Sequence, residues 1–374
     1  MKKMRIVLAC LLCLGLLSAC APAPAPAPTE APVAEATPSA APEGASAPEE
    51  TPSFEGVELI VSNFALANDK IIEAVIKPFE EKYGCTVVYD AGTNSERLTK
   101  LKNDPNSDVD VIYLAQQYAQ DGFDAGLFDE FDYSRVPNAE FLLEKASVFK
   151  DTKQGPPTTM NRLGIIYNAD AVEITSFADL WDAKLANALA IPDIATTFGP
   201  ATVTIAAKYA GVDYATDNGE AAFKALEALK PNIVKTYSKS SDLKNMFASG
   251  EIKVALAAEF AYNTMGDDTT SNLVFLDPAE GAYLNFNTIN IVKTSDQKDL
   301  AYLFVDHVLS AESQLAGAIN VPESTVNTQV ELPTDVAAKL TSIEIADKSN
   351  VVDFKVVNAQ LTAWVDLWNR TLNS

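Results

Sequence analysis

Short apolar runs alternate with amphipathic helical stretches from Val57 onward, and this alternation limits the fold more than any other feature of the chain. Residues 57–61 read as a buried strand. Residues 69–83 read as a helix with Ile71, Ile72, Val75, Ile76 and Phe79 on one stripe, kinked at Pro78 and ended by Gly84. A second strand is predicted over 85–89, a helix over 95–101 and a third strand over 109–114. Strands separated by helices build an α/β layer with a mostly parallel sheet, whose ligand crevice lies at the carboxyl ends of the strands. The loops there carry Asn63 and Phe64, residues 91–94, and residues 115–118.

The pattern restarts with strands predicted over 164–167, 189–191 and 254–258, a helix over 177–181, and helices from about Phe198 and Glu220. These read as a second α/β lobe. Residues 289–292 and a helix over 300–309 read as a return to the first lobe. Leu361, Trp364, Val365, Trp368 and Leu372 close the chain at helical spacing, as core packing. No internal repeat of solenoid period is present.

The N-terminus directs export. Lys2, Lys3 and Arg5 precede an apolar run, residues 6–17, that is too short to be a membrane span with its own flanks. Leu17-Ser18-Ala19-Cys20 resembles the bacterial lipobox, and the resemblance implies that residues 1–19 are removed and that Cys20 is lipidated, anchoring the chain to the extracytoplasmic face of a membrane. Residues 20–55 are rich in Ala, Pro, Glu, Ser and Thr, and residues 21–52 hold no Lys or Arg and no aromatic residue, so they serve as a spacer, extended where Ala and Pro alternate. With Cys10 and Cys13 lost and Cys20 at the anchor, Cys85 is the one thiol left for the folded part; no internal disulfide is possible, and a buried structural thiol is expected. The formal charge of −23 becomes −26 without Lys2, Lys3 and Arg5, which argues against nucleic acid as a partner.

Catalytic machinery is sparse. His307 is the only histidine, so hydrolase arrangements needing an imidazole would all share it. No nucleophile elbow, dinucleotide fingerprint, P-loop or zinc-protease motif occurs. Asp104, Asn106, Asp108 and Asp110 alternate as in a calcium loop, but Val109 and Ala115 stand where the turn glycine and the bidentate glutamate belong. No cofactor is implied.

Lys77-Pro78-Phe79-Glu80 with Gly84, Asp108-Val109-Asp110-Val111-Ile112, Gly126-Leu127, Gly164-Ile165-Ile166-Tyr167-Asn168, Phe177-Ala178-Asp179-Leu180-Trp181 and Ser249-Gly250-Glu251 occur in an order and spacing that resemble the extracellular solute-binding proteins of ABC importers, in the group of spermidine/putrescine- and ferric-ion-binding proteins. The resemblance covers about Val57 to Asn327. It implies a two-lobed periplasmic-binding-protein-like fold of type II, with lobe 1 at 56–160 plus 262–320 and lobe 2 at 161–261 plus 321–374. Hinge strands are expected near 158–163 and 258–262. It further implies a non-catalytic, monomeric carrier that passes a small solute to ABC permease subunits.

Carried over position by position, the resemblance places Asn63, Phe64 and Ala65 where the polyamine binders have Trp and Glu, and Gln116 and Gln117 after the third strand. Thr196 and Thr197 stand near an acidic position, and Asn285 and Asn287 replace an aromatic residue and an aspartate. Asp193 and Glu259 remain acidic, Tyr262 adjoins the second hinge, and Arg162 is expected to face the cleft from the first. Thr196 and Thr197 are expected to cap the helix opening near Phe198, an anion-attracting end. The ligand alternatives are a polyamine-like amine or zwitterion, an anion such as a phosphonate or sugar phosphate, and ferric ion, the last disfavoured because no adjacent tyrosine pair exists. An exported hydrolase and a tethered sensor domain are the competing classes.

The Cys20→Ser variant tests the anchor. Cell fractionation should find it released from the membrane with its fold intact; persistent membrane association would contradict lipidation at Cys20.

Overall fold

The computed structural model describes residues 51–64, 68–265, 271–321 and 323–373. The signal and lipobox segment, Cys20, most of the spacer and Ala65 lie outside them. The spacer ends earlier than the sequence suggests. The Phe54 amide donates to the Tyr83 carbonyl (2.7 Å) and its ring packs edge-on against Tyr83, so residues 53–55 already belong to the body.

Among the described residues, eleven strands form one continuous sheet: β1 (Glu58–Asn63), β2 (Thr86–Ala91), β3 (Val111–Ala115), β4 (Pro157–Asn168), β5 (Leu189–Pro192), β6 (Ile233–Tyr237), β7 (Val254–Ala258), β8 (Leu273–Leu276), β9 (Tyr283–Ile291), β10 (Ser324–Thr325) and β11 (Asn350–Val351). Its order is β2-β1-β3-β9-β4-β7-β5-β6, with β8 and β10 paired to β4 and β11 to β9. The ends are parallel, as the alternation predicts: β2, β1 and β3 on one side, β7, β5 and β6 on the other. The middle is antiparallel, because β4 and β9 cross between the two ends. β4 pairs with β9 and β10 over its first half and with β7 and β8 over its second.

Two lobes follow from this change of partner. Met160, Leu284, Phe286 and Ile289 join the apolar core of the first, with Leu59, Val61, Val111 and Phe304, while Ile112 and Leu114 point to the opposite face of the same layer against Leu98 and Phe128. Leu163 and Ile165 join the core of the second with Ile191, Leu226, Trp364 and Trp368, and Ile166 its other face. The expected lobe boundaries shift accordingly. Met265, Leu273 and Phe275 pack with the second lobe, whereas Val326 and Ala346 pack with the first. Of the hinge segments, 158–163 lies in β4, but residues 259–265 are helical and the second crossing strand is β9.

Two local features depart from the sequence reading. The predicted helix over residues 69–83 is not one regular α-helix. Residues Ile72–Ile76 form a π segment, closed by the Lys77 amide on the Ile72 carbonyl, so Pro78 sits in the first turn of the following α-helix, where its missing N–H is tolerated. The helix then ends at Gly84 in the left-handed region (φ 72°), as expected. Strand β4 is also much longer than residues 164–167, because its polar first half reads as loop in one dimension.

Gly164, on β4, marks a close approach. A Cβ there would lie 2.5 Å from the Leu276 carbonyl oxygen and 2.7 Å from the Phe275 ring. Gly164→Ala should therefore cost about 1–3 kcal/mol in urea unfolding, and an unchanged midpoint would show that β8 is not held this tightly against β4.

Candidate functional site

The two crossing strands generate the site through simple alternation. Along β9, Leu284 and Phe286 turn into the first core, so Asn285 and Asn287 turn the other way; along β4, Met160 turns in, and Thr159 and Asn161 turn out. Asn161 pairs with Asn285 and Thr159 with Asn287. These four polar side chains floor a cavity of about 460 Å³.

Both lobes supply its walls. From the first come Asn63 and Phe64 after β1, Asn94 after β2, and Tyr113 and Ala115 on β3; from the second come Thr196, Thr197 and Phe198 after β5, Tyr237 and Ser238 at the end of β6, and Phe260 after β7. The carboxyl ends of the parallel strands therefore converge here, as expected for a doubly wound layer. Aromatic faces and neutral hydroxyl or carboxamide groups dominate the lining. Gly199 lets this wall turn sharply, since a Cβ there would meet the Asp193 carbonyl oxygen at 2.2 Å.

Among the described residues, one acidic side chain reaches the cavity. Glu323, immediately before β10, is half-buried; its carboxylate accepts from Thr159 Oγ1 (2.8 Å) and Asn287 Nδ2 (3.3 Å). Burial raises its pKa above the usual carboxylate value, and the hydrogen bonds from Thr159, Asn287 and Asn161 hold it back. Asn285 is 3% exposed, and its Oδ1 has no partner. A carboxylate and a free carboxamide oxygen on one floor, among aromatic faces, suit an ammonium group. The resemblance had not singled out Glu323, which no periodicity marks; the alternating Asn285-Phe286-Asn287 run of a half-buried strand was the available signal for the floor.

Of the residues expected at the site, the cavity brings together Asn63, Phe64, Thr196, Thr197, Asn285 and Asn287. Arg162 and Glu259 do not line it; they are spent on each other. Arg162 Nη1 bonds Glu259 Oε1 and Thr341 Oγ1 (2.8 Å), its Nε bonds Asp277 Oδ1 (2.6 Å), and Thr341 Oγ1 donates to Glu259 Oε2 (2.6 Å). The guanidinium also lies 4.8 Å from the Phe275 ring centroid. Position in the elements accounts for this: along β4 Asn161 faces the cavity, so Arg162 faces away, while Ala258 at the end of β7 and Phe260 in the first turn of the helix that follows line it and Glu259 does not. Burial pushes the Glu259 carboxyl up, opposed chiefly by Arg162.

The remaining expected residues also have structural duties. Gln116 and Gln117 are buried at the start of the Gln116–Asp124 helix, and the Gln117 carbonyl accepts from Asn358 Nδ2 (2.9 Å). Asp193 Oδ1 accepts the Ala195 amide (3.0 Å), and the Tyr262 hydroxyl donates to the Leu273 carbonyl (3.2 Å). The threonines do not cap the Gly199–Tyr209 helix. Its N-cap is Phe198, with no side-chain cap, and Thr196 Oγ1 donates instead to the Asp193 carbonyl (2.7 Å). His307 Nε2 meets the Val75 carbonyl at 2.8 Å behind the cavity wall, and burial lowers its pKa. Among the described residues, no group of three or more His, Cys, Asp or Glu side chains is placed to hold a metal ion.

Glu323→Gln keeps the hydrogen-bonding shape but removes the charge. Calorimetry should show an amine ligand weakened by about 2–5 kcal/mol. In the unaltered protein, affinity should rise with pH above 4.5, the ordinary glutamate value, and level off once Glu323 is ionised, because the ammonium needs the carboxylate form that burial disfavours. The variant should show no such rise. Equal affinity in both proteins would remove Glu323 from the site.

The sequence matches the profile of a family described as bacterial extracellular solute-binding protein over residues 74–342. It is 27% identical over 340 residues to the putrescine-binding periplasmic protein PotF of Escherichia coli, covering 79% of this chain and 88% of that one. It is 25% identical over 279 residues to spermidine/putrescine-binding periplasmic protein 1 of Haemophilus influenzae, covering 71% and 75%. Among solved structures, an ABC transporter protein from Clostridium perfringens superposes with a TM-score of 0.82 at 50% identity, covering 84% of this chain and all of that one. The spermidine/putrescine ABC transporter substrate-binding protein PotD from Streptococcus pneumoniae, at 20% identity and a TM-score of 0.68 over 83% and 98% of the two chains, shares the fold. With a family profile spanning most of the folded part, a sheet crossed twice between two lobes and a polar cavity at the crossing, this chain belongs to the bacterial extracellular solute-binding protein family.

Proposed function

We propose that the chain is the substrate-binding component of an ABC importer, capturing a small polar organic solute that bears an amino group, polyamine-like or zwitterionic, and passing it to a membrane permease. The observation that carries this reading is the chemistry of the cavity: Glu323 is the one acidic side chain among the described lining residues, and no Lys, Arg or His joins it. An anionic solute would meet that carboxylate with no cationic side chain on the lining to offset it. The relatives named for putrescine and spermidine support an amine. Closure is driven by whatever extra contact the solute makes when Thr196, Tyr237 and Phe260 of the second lobe approach the first, since a ligand shifts a two-state equilibrium only by its differential affinity. In this reading Cys20 carries the lipid anchor, and the proline-rich spacer gives the body reach to both solution and permease. No helix among the described residues is long and apolar enough to cross a membrane, so the permease supplies the translocation path.

A thermal-shift screen of diamines, polyamines and amino acids against phosphonates, sugar phosphates and thiamine tests the reading. An amine-bearing solute at 100 times its dissociation constant should add about 2.7 kcal/mol of stability. Stabilisation by phosphonates or sugar phosphates alone would reverse the assigned charge of the ligand.

A further inference from the structure

One lining side chain has its orientation fixed from outside the cavity. Asn94 Oδ1 accepts both the Ala115 amide (3.0 Å) and Arg97 Nη2 (3.3 Å). Two donors on one oxygen determine which end of the carboxamide is which, so Nδ2, without a protein partner among the described residues, is the end left for the cavity that Asn94 lines.

Arg97 gives this wall its sign. Its side chain is buried at 3% exposure, and the guanidinium donates to the carbonyls of Gly92 (3.0 Å), Ser62 (3.1 Å) and Tyr113 (2.6 Å), with its centre 5.0 Å from the Phe64 ring centroid. No carboxylate lies within ion-pairing distance of it among the described residues. Burial lowers its pKa to about 10, which keeps it cationic at neutral pH. Behind Asn94, Phe64 and Tyr113 there is thus a positive charge whose direct partners are carbonyl and carboxamide dipoles, with the Asp90 carboxylate acting on it at longer range.

The acceptor groups lie close by, on the floor. Ala115 is paired with Asn287 across β3 and β9, and Asn287 bonds Glu323. One interstrand spacing, about 4.8 Å, together with the side chains, therefore separates the donor wall from the acceptor floor.

We propose that the cavity is built for a solute with a single ammonium group, seated on Glu323 and Asn285 Oδ1, and one anionic or hydrogen-bond-accepting group, seated on Asn94 Nδ2: an amino-acid-like zwitterion and not a diamine or polyamine. The second ammonium of a diamine would face a donor amide backed by the Arg97 charge. This inference rests on the reading that an amine-bearing solute occupies the cavity, and narrows it.

Calorimetry with diamines and ω-amino acids of matched chain length, such as 1,5-diaminopentane and 5-aminopentanoate, tests it on the unaltered protein. The amino acid of a pair should bind about tenfold to a hundredfold more tightly, the scale of a hydrogen bond to a charged group. Asn94→Asp keeps an oxygen for Ala115 and Arg97 and puts a second carboxylate oxygen where the donor was, so the preference should reverse. Diamines binding as tightly as amino acids, or an Asn94→Asp variant with an unchanged ratio, would overturn the zwitterion assignment while leaving an amine carrier standing. If no amine-bearing probe binds, the amine reading fails first, and this narrowing with it.

Discussion

The antiparallel pairing of β4 with β9 is the interaction on which the rest of the structure depends. Both strands cross from one lobe to the other, and their alternation serves two purposes at once: Met160, Leu284 and Phe286 fill the first core, while Thr159, Asn161, Asn285 and Asn287 line the cavity. A one-residue slip in register would exchange those faces, burying carboxamides in the core and exposing Phe286 to the cavity. The apolar side chains that hold the register therefore also fix the positions of the polar groups that line the cavity. Short β10 adds to this, because its pairing with Met160 and Thr159 brings Glu323 onto the same floor.

A second set of charges works on the other face of β4. Arg162, Glu259, Asp277 and Thr341 join four separate chain segments in a mostly buried network in which each buried charge has an opposite partner. Removing Arg162 would leave the Glu259 charge buried and unpaired, at a cost of about 3–5 kcal/mol. Since Glu259 lies between two lining residues, Ala258 and Phe260, the network also fixes the second-lobe wall of the cavity. Among the described residues, charge at the crossing strands is thus divided by face, with structural pairs behind them and a single carboxyl group, that of Glu323, on the cavity lining in front.

Much of this was legible in the sequence, and the gaps have physical causes. Apolar strands flanked by amphipathic helices gave the α/β lobes, and Gly84 and Trp364 to Leu372 behaved as their patterns imply. Apolar patterning alone reaches only 164–167 of β4, because the outward residues of its first half are polar where they line the cavity; the resemblance supplied the hinge strand near 158–163. Charge in a cleft-forming segment suggests a ligand contact for Arg162 and Glu259, but the parity of β4 turns Arg162 away from the cavity, and Glu259, opening the helix after β7, pairs with it there. Glu323 follows Pro322 and precedes a two-residue strand, so nothing local marks it; its role comes from Thr159 and Asn287, far away in sequence. Asn94 gains its polarity from Arg97, a relation visible only once the guanidinium is seen to be buried.

A crystal structure of the protein with its solute bound tests the central claim most directly. The account predicts the ligand nitrogen within hydrogen-bonding distance of the Glu323 carboxylate, about 2.7–3.2 Å, with Arg162 still held by Glu259 and Asp277 on the far face of β4. A ligand whose nitrogen lies away from Glu323, or one that draws Arg162 out of its pairing to meet an anionic group, would contradict it.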